Sequence, residues 1–226
     1  MDTCSIKELI EPSCDGRRKI IAFCGAGGKT SDIHAVRDCC LAGNRKVLVT
    51  TTTHMFLEEG CVSDEKEIIE KLDREGYAFA GLPTMHGSAD NKTSNLWKIR
   101  ALPDDVRRLA QSYADVTLIE ADGARCLPFK VPKPWEPVIP EETTDVVLVM
   151  GMDAERRRIC EICYNPEGVA EALGVSTQTC LTREMMIEAY MNTYVRLIRE
   201  RFGNARVFLH MNEKTGQTVS EFFVLA

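Results

Sequence analysis

Apolar residues along this chain gather into short runs instead of spreading evenly. Strong runs occupy residues 19–24, 46–50, 116–121, 146–151 and 207–211, with a weaker one at 77–81. Each is near-continuous rather than alternating, the pattern of strands buried on both faces of a parallel sheet. Stretches with helical periodicity lie between most of them. One spans 29–42 and stops at Gly43-Asn44, a pair that favours a helix end. A second, 64–75, opens with the capping-box spacing Asp64/Glu67 and ends at Gly76. A third, 104–113, follows Pro103, and the longest, 182–202, is closed by Gly203. Strands alternating with helices predict a parallel α/β sheet, and right-handed crossovers then place ligand sites at the carboxyl ends of its strands.

Two segments break the alternation. Residues 82–95 are polar and turn-rich and predict a long, mobile loop. Residues 121–144 carry Pro128, Pro132, Pro134, Pro137 and Pro140 directly after a buried strand. So many prolines forbid a helix and stiffen an extended path, and an ordered loop in that position usually serves binding. Neither an internal repeat nor an interdomain linker is visible. The whole chain, 1–226, is expected to form a single domain, with 152–202 as a helical side-lobe.

Composition narrows the function classes. The chain has 226 residues, 44% hydrophobic and 27% charged, enough to bury a core without staples and unlike a disordered chain. Its 28 basic and 34 acidic residues give a net charge of −6. That balance argues against nucleic acid or an anionic membrane as the main partner. No apolar run approaches the ~20 residues of a membrane span, and the first 19 residues are too polar for a signal peptide. The ten cysteines are therefore expected to be reduced thiols, and the protein cytoplasmic.

The richest chemistry lies in Gly25-Ala26-Gly27-Gly28-Lys29-Thr30-Ser31, which joins the first strand to the first helix. Against the phosphate-binding pattern G-x-x-x-x-G-K-[ST] it keeps Gly28, Lys29 and Thr30 but has Phe23 at the first glycine. It is nearer the K-G-G-x-G-K-T form of the dimerising P-loop class, with Cys24 replacing the first lysine. Gly25, Gly27 and Gly28 permit φ > 0, so successive amides can face an anion at a helix N-terminus. Lys29 is then expected on the β- and γ-phosphates and the Thr30 hydroxyl on Mg²⁺. A glycine-rich turn without a ligand is the plainer alternative, which the strand-loop-helix context disfavours.

Thr50-Thr51-Thr52-Thr53-His54 ends the second strand. Its β-branched residues suit a strand, yet hydroxyls at a strand's carboxyl end also face a phosphate pocket. His54 reads equally as an acid/base or as a satisfied polar residue. The run 116–121 leads into Glu120 and Asp122, an apolar strand ending in carboxylates as in a Walker-B segment. Asp122 is expected to hold Mg²⁺ through water. Glu120, two residues earlier and thus on the same side, is expected to orient water or act as base.

Taken in order, residues 25–31, 47–54 and 120–125, followed by Pro128, Lys130, Pro132 and Glu136-Pro137-Val138-Ile139-Pro140, resemble the YqeC family of selenium-dependent hydroxylase accessory proteins. The likeness covers residues 20–153. It implies a P-loop-containing NTPase-like three-layer α/β sandwich with a mostly parallel central sheet. It also implies a role in maturing selenium-dependent molybdenum hydroxylases, with the hydroxylase or its cofactor enzymes as partners. The family pattern singles out Lys29, Thr30, Thr51, Thr52, Thr53, His54, Glu120, Asp122, Arg125, Lys130 and Glu136. Arg125 and Lys130 either clamp an anionic second substrate or pair with Glu120 and Glu136 to fix the proline-rich loop. The chain departs from the pattern at Tyr164-Asn165-Pro166, where a His-Arg-Pro run is expected. It departs again at His210-Met211-Asn212-Glu213, where relatives resemble the Asn-x-x-Asp that reads guanine.

The combined reading is a P-loop α/β protein that binds ATP or GTP with Mg²⁺ and hydrolyses it or transfers its phosphoryl group. A homodimer across the phosphate site follows by analogy with the P-loop class alone. A non-hydrolysing, nucleotide-dependent chaperone or docking switch is the alternative, and a thiol-based selenium or metal carrier would need Cys24 or Cys126. Other signals are read as structure. Cys160 and Cys163 are expected to be buried thiols, Cys39-Cys40 to pack, and Arg156-Arg157-Arg158 to form a solvated face. Met185, Met186, Met191, Tyr190 and Tyr194 are expected to fill core or interface.

Overall fold

In the computed structural model, which describes residues 2–12, 16, 18–84, 98–213 and 222–225, the central apolar runs are strands buried on both faces. Strand β1 (Thr3–Cys4) and helix α1 (Ile6–Ile10) precede β2 (Lys19–Ala26), which is buried at every position. Helix α2 (Lys29–Ala42) leads to β3 (Val47–Thr51) and β4 (His54–Phe56), and α3 (Glu65–Glu75) leads to β5 (Tyr77–Phe79) and β6 (Leu82–Thr84). Next come β7 (Lys98–Arg100), α4 (Asp104–Tyr113), β8 (Val116–Glu120), β9 (Phe129–Lys130) and β10 (Asp145–Gly151). The chain closes with α5 (Ile159–Ile162), β11 (Cys163–Tyr164), α6 (Pro166–Leu173), α7 (Arg183–Tyr190), α8 (Arg196–Arg201), β12 (Arg206–Asn212) and β13 (Phe222–Leu225).

Helix ends follow the local chemistry. Asp64 accepts from the backbone N–H groups of Lys66 and Glu67, and Gly76 ends α3 in the left-handed region at φ 70°. The long helical run from Arg183 to Arg201 is continuous, but Met191–Val195 within it form a π-turn. As its prolines require, the segment between β8 and β10 contains no helix.

The main sheet has the order β1-β13-β12-β10-β2-β8-β3-β5. Every neighbouring pair from β12 to β5 is parallel, whereas β13 runs antiparallel to both β12 and β1. Alternate residues point to opposite layers. Ile21, Phe23, Val49, Leu118 and Val147 pack with Ile33, Val36 and Cys40 of α2. Ala22, Cys24, Leu148 and Met150 pack instead with Met186, Tyr190, Tyr194 and Ile198 of the α7–α8 run. Leu48 and Ala78 meet Ile68 and Leu72 of α3 and Ala110 of α4. Residues from 152–202 thus share one core with the sheet. After β2 the chain passes β8 to reach β3, and after β8 it passes β2 to reach β10. The connections diverge at the carboxyl ends of β2 and β8, where an α/β sheet leaves a crevice.

Several features depart from the expectations. A small antiparallel sheet β4-β7-β6 and a parallel pair β9–β11 stand outside the main sheet, built from strands too short to show a period. Residues 82–84 belong to that small sheet, and the rest of the expected loop, 85–95, lies outside the described residues. Cys163 is buried, with its thiol pushed up to about 12 by burial, but Cys160 is exposed. Among the described residues the cysteines are free thiols, and no helix is long and apolar enough to cross a membrane.

Candidate functional site

The turn between β2 and α2 is held open by its glycines. Gly25, Gly27 and Gly28 have φ values of 94°, 84° and 135°. At Gly27 a β-carbon would also run into the backbone of Gly151 and the carbonyl of Pro128, so glycine is required there twice over. Helix α2 starts at Lys29 without a side-chain cap, which leaves its first amides for an anion. The loop is braced from β12, where Asn212 donates from Nδ2 to the Gly27 carbonyl at 2.8 Å. Nearby, His210 Nδ1 lies 2.7 Å from Asp32 Oδ2 in the first turn of α2. The segment at 210–213 therefore steadies the loop, and Glu213 reaches Arg183 at 3.3 Å. Asn212→Ala is expected to cost about 1 kcal/mol, measured by urea denaturation, because it leaves the Gly27 carbonyl without its donor.

Glu120 and Asp122 do not share a direction. Strand alternation lasts only as far as Glu120, where β8 ends and the chain turns. Glu120 lies on the α2 side, its Oε2 3.5 Å from Thr30 Oγ1. Asp122 drops beneath the loop and is fully buried. Its oxygens accept from the Gly25 N–H at 3.0 and 3.1 Å and from the Tyr194 hydroxyl at 2.5 Å. Lys29 Nζ stands 3.1 Å and Lys130 Nζ 3.3 Å from the same carboxylate. Lys130 also bonds Glu136 Oε2 at 2.6 Å and the Gly123 carbonyl at 2.9 Å. Two ammonium groups and two carboxylates thus balance inside the protein, a network that stands or falls together. Burial acts to raise the Asp122 carboxyl, but Lys29 and Lys130, together with the Tyr194 hydroxyl and the Gly25 amide, outweigh it and hold it below the ordinary aspartate range. Burial likewise acts to lower the Lys29 ammonium, and Asp122 and Glu120 reverse the shift.

Above the loop lies a cavity of ≈ 700 Å³. Its floor is formed by Gly27 to Ser31 and Glu120, one wall by Thr53, His54, Phe56 and Lys98, and its rim by Arg125, Cys126, Trp135, Val138 and Tyr164. Burial raises the Glu120 carboxyl to about 6 against the pull of Lys29. Of the candidate residues, the structure gathers Gly27, Gly28, Lys29, Thr30, Ser31, Thr53, His54, Glu120, Arg125 and Glu136 around one space. Gly25 and Ala26 belong to β2 beneath it.

Others are turned away. The Thr51 hydroxyl donates to the Glu120 carbonyl at 2.8 Å and the Thr52 hydroxyl to the Val138 carbonyl at 2.6 Å, so both tie loops together. Lys130 is fully buried and serves the network below. Cys24 is sealed in the core, its thiol pushed far up by burial, whereas Cys126 is exposed on the rim. Arg125 and Cys126 are in the left-handed region at φ 48° and 61°, and this tight turn carries both side chains outward. Among the described residues, no group of three or more His, Cys, Asp or Glu is placed to hold a metal ion. Sequence reasoning missed Tyr194, Tyr190, Asn212, Tyr164 and Trp135. The two buried tyrosines carried a readable signal, since a phenol in a core needs a partner and both find one, Tyr190 at the Val149 carbonyl (2.9 Å).

Comparison with known proteins gives a consistent assignment. Residues 21–167 match the family described as YqeC protein. A relative in Escherichia coli (strain K12), described as uncharacterized protein YqeC, is 33% identical over 156 residues, which span 65% of this chain and 59% of the relative. No solved structure matches the chain.

Proposed function

This chain belongs to the YqeC family, and we propose that it binds ATP or GTP with Mg²⁺ in the cavity above the glycine loop. In this reading it hydrolyses the nucleotide, or transfers its γ-phosphoryl group, in the maturation of selenium-dependent molybdenum hydroxylases. The observation that carries the proposal is the uncapped start of α2, whose amides open onto a cavity that Lys29, Thr30 and Glu120 also line. Lys29 Nζ donates to the Gly25 carbonyl at 2.6 Å and pairs with Asp122, leaving its third N–H for a phosphate oxygen.

Thr30 and Glu120 suit Mg²⁺ because they present a hydroxyl and a carboxylate, both hard oxygen donors, 3.5 Å apart on the cavity floor. Asp122, expected to hold the metal, has its oxygens engaged beneath the loop, so the role passes to Glu120. When bound, the metal neutralises charge on the β- and γ-oxygens. The loop amides and Lys29 supply fixed positive potential to the same oxygens, and His54 on the wall is left to orient the attacking group.

Glu120→Gln is expected to weaken Mg²⁺-nucleotide binding about tenfold or more while leaving the free protein as stable or more so. The stability follows from burial, which already disfavours the ionised carboxylate. Calorimetry and thermal unfolding of the same variant check both halves. The proposal itself is tested by thermal shift with Mg-ATP and Mg-GTP. A ligand at 100 Kd stabilises by about 2.7 kcal/mol, and no shift with either nucleotide overturns the reading. Phosphate release, measured with and without a hydroxylase partner, separates turnover from a non-hydrolysing switch.

A further inference from the structure

The small sheet beside the cavity has two unlike faces. In its register Met55 pairs with Ile99, Phe56 with Lys98 and His54 with Arg100. Met55 and Ile99 are buried in the core that β2, β3 and α2 share. Side chains alternate along a strand, so His54, Phe56, Lys98 and Arg100 occupy the other face. Burial of Met55 and Ile99 fixes that choice, because a slip of one residue would drive Lys98 into the core. Strand β7 lies between β4 and β6, and the Lys98 carbonyl accepts from the Thr84 hydroxyl at 3.0 Å. His54, Phe56 and Lys98 line the cavity, whereas Arg100, also exposed, is not part of its lining.

Lys98 differs from the other cations around that space. Lys29 is matched by Asp122, and Arg125 lies 5.5 Å from the centroid of the Tyr164 ring on the rim. Among the described residues Lys98 makes no ion pair, and its ammonium stands 5.3 Å from the centroid of the Phe56 ring. That contact packs the stem and leaves ammonium N–H groups for another partner. The charge of Lys98 is also felt at Glu120. Burial raises that carboxyl to about 6, and Lys29 and, more weakly, Lys98 act against the rise. Lys98 therefore serves the same end of the cavity as Glu120 and Thr30. A triphosphate keeps a net negative charge even with one Mg²⁺ bound. The floor offsets little of it, since Lys29 is already matched by Asp122 and Glu120 adds negative charge when ionised.

We propose that Lys98 meets the terminal phosphate of the bound nucleotide from the cavity wall, while the loop amides and Lys29 hold it from the floor. A metal held by Thr30 and Glu120 bridges the β- and γ-oxygens, so a cation acting at Glu120 acts at the γ end. Lys98 is then the residue by which the cavity distinguishes a triphosphate from a diphosphate. The inference rests on the cavity being the seat of the nucleotide.

The test is calorimetric titration of the full chain with Mg²⁺ and the non-hydrolysable imidotriphosphates of adenosine and guanosine, compared with the matching diphosphates. Lys98→Met removes the charge but keeps an unbranched stem over Phe56. It is expected to weaken triphosphate binding about 10- to 150-fold, the range for one hydrogen bond to a charged group, and diphosphate binding by less than about threefold. Lys98→Arg is expected to recover most of the loss. Arg100→Met, which takes the same charge from the same face but outside the cavity, is expected to cost at most about threefold with either ligand. Equal losses for both ligands in Lys98→Met, no loss, or an Arg100→Met effect as large overturns the proposal and leaves the nucleotide seat standing. A native chain that takes up neither form sinks that seat, and the role of Lys98 with it.

Discussion

Asp122→Asn is expected to destabilise the free protein by about 3–5 kcal/mol, the usual cost of leaving a buried charge without its partner. For a chain of this length each kcal/mol moves the melting temperature by about 2–4 °C, so a fall of roughly 6–20 °C should be read by thermal unfolding. The reason lies in the partners of this carboxylate, Lys29, Lys130, the Gly25 amide and the Tyr194 hydroxyl, all away from solvent. A carboxylate whose task is only to hold a metal behaves oppositely, since neutralising it relieves a crowded anion when no metal is bound. Unchanged or raised stability would therefore return Asp122 to the metal. The pH dependence has a definite sign. The folded-state value of Asp122 is depressed from the ordinary 3.8, so its contribution is present above that value and disappears as pH falls through the folded one. The gap between the native protein and Asp122→Asn should accordingly narrow in strong acid. Tyr194→Phe is the milder companion, expected to cost about 1–3 kcal/mol because it withdraws one buried donor.

Lys29→Ala is expected to abolish measurable nucleotide binding. Truncating one partner of a buried charge contact costs about 2–5 kcal/mol, which is roughly 30- to 5,000-fold in affinity. The side chain is almost fully buried, and its ammonium is held by the Gly25 carbonyl and by Asp122. Lys130 cannot stand in, because it is fully buried and bonded to Glu136 and the Gly123 carbonyl. The variant also strips Asp122 of one counter-ion, so the free protein should melt lower than the native one. The decisive quantity is thus the change in melting temperature on adding Mg-nucleotide, compared within each protein, together with the calorimetric affinity. Unchanged affinity in Lys29→Ala removes the phosphate role of the loop.

Much of this architecture was legible from local patterns. Continuous apolar runs such as 146–151 become strands because a segment without a polar side is stable only when covered on both faces. The loop was equally legible, since only glycine tolerates the positive φ that turns Gly25, Gly27 and Gly28 beneath a helix start. Where spacing along the chain was asked to report direction in space, it failed. Glu120 and Asp122 are two residues apart, but the rule that such residues face one way holds only while a strand continues, and β8 ends between them. The four consecutive threonines suggested a row of hydroxyls facing phosphate, yet Thr51 and Thr52 meet carbonyls delivered by β8 and by the proline-rich segment. Tyr164, at a departure from the family pattern, proved to line the cavity beside three cations.

The amino-acid order alone determined the main strands and helices, where the glycine-rich turn lies and which side chains around it carry charge. Those properties follow from backbone sterics and from burial over a few neighbouring residues, which the local sequence contains. Only the tertiary structure decided how the charges divide their roles. The π-turn of the α7–α8 run brings Tyr194 to Asp122, and β9 carries Lys130 to the same carboxylate. With its oxygens already engaged, Asp122 became the internal counter-ion and Glu120 the group that faces the cavity. Contacts between residues as far apart in the chain as Asp122 and Tyr194 depend on how whole layers pack, and no local pattern records that.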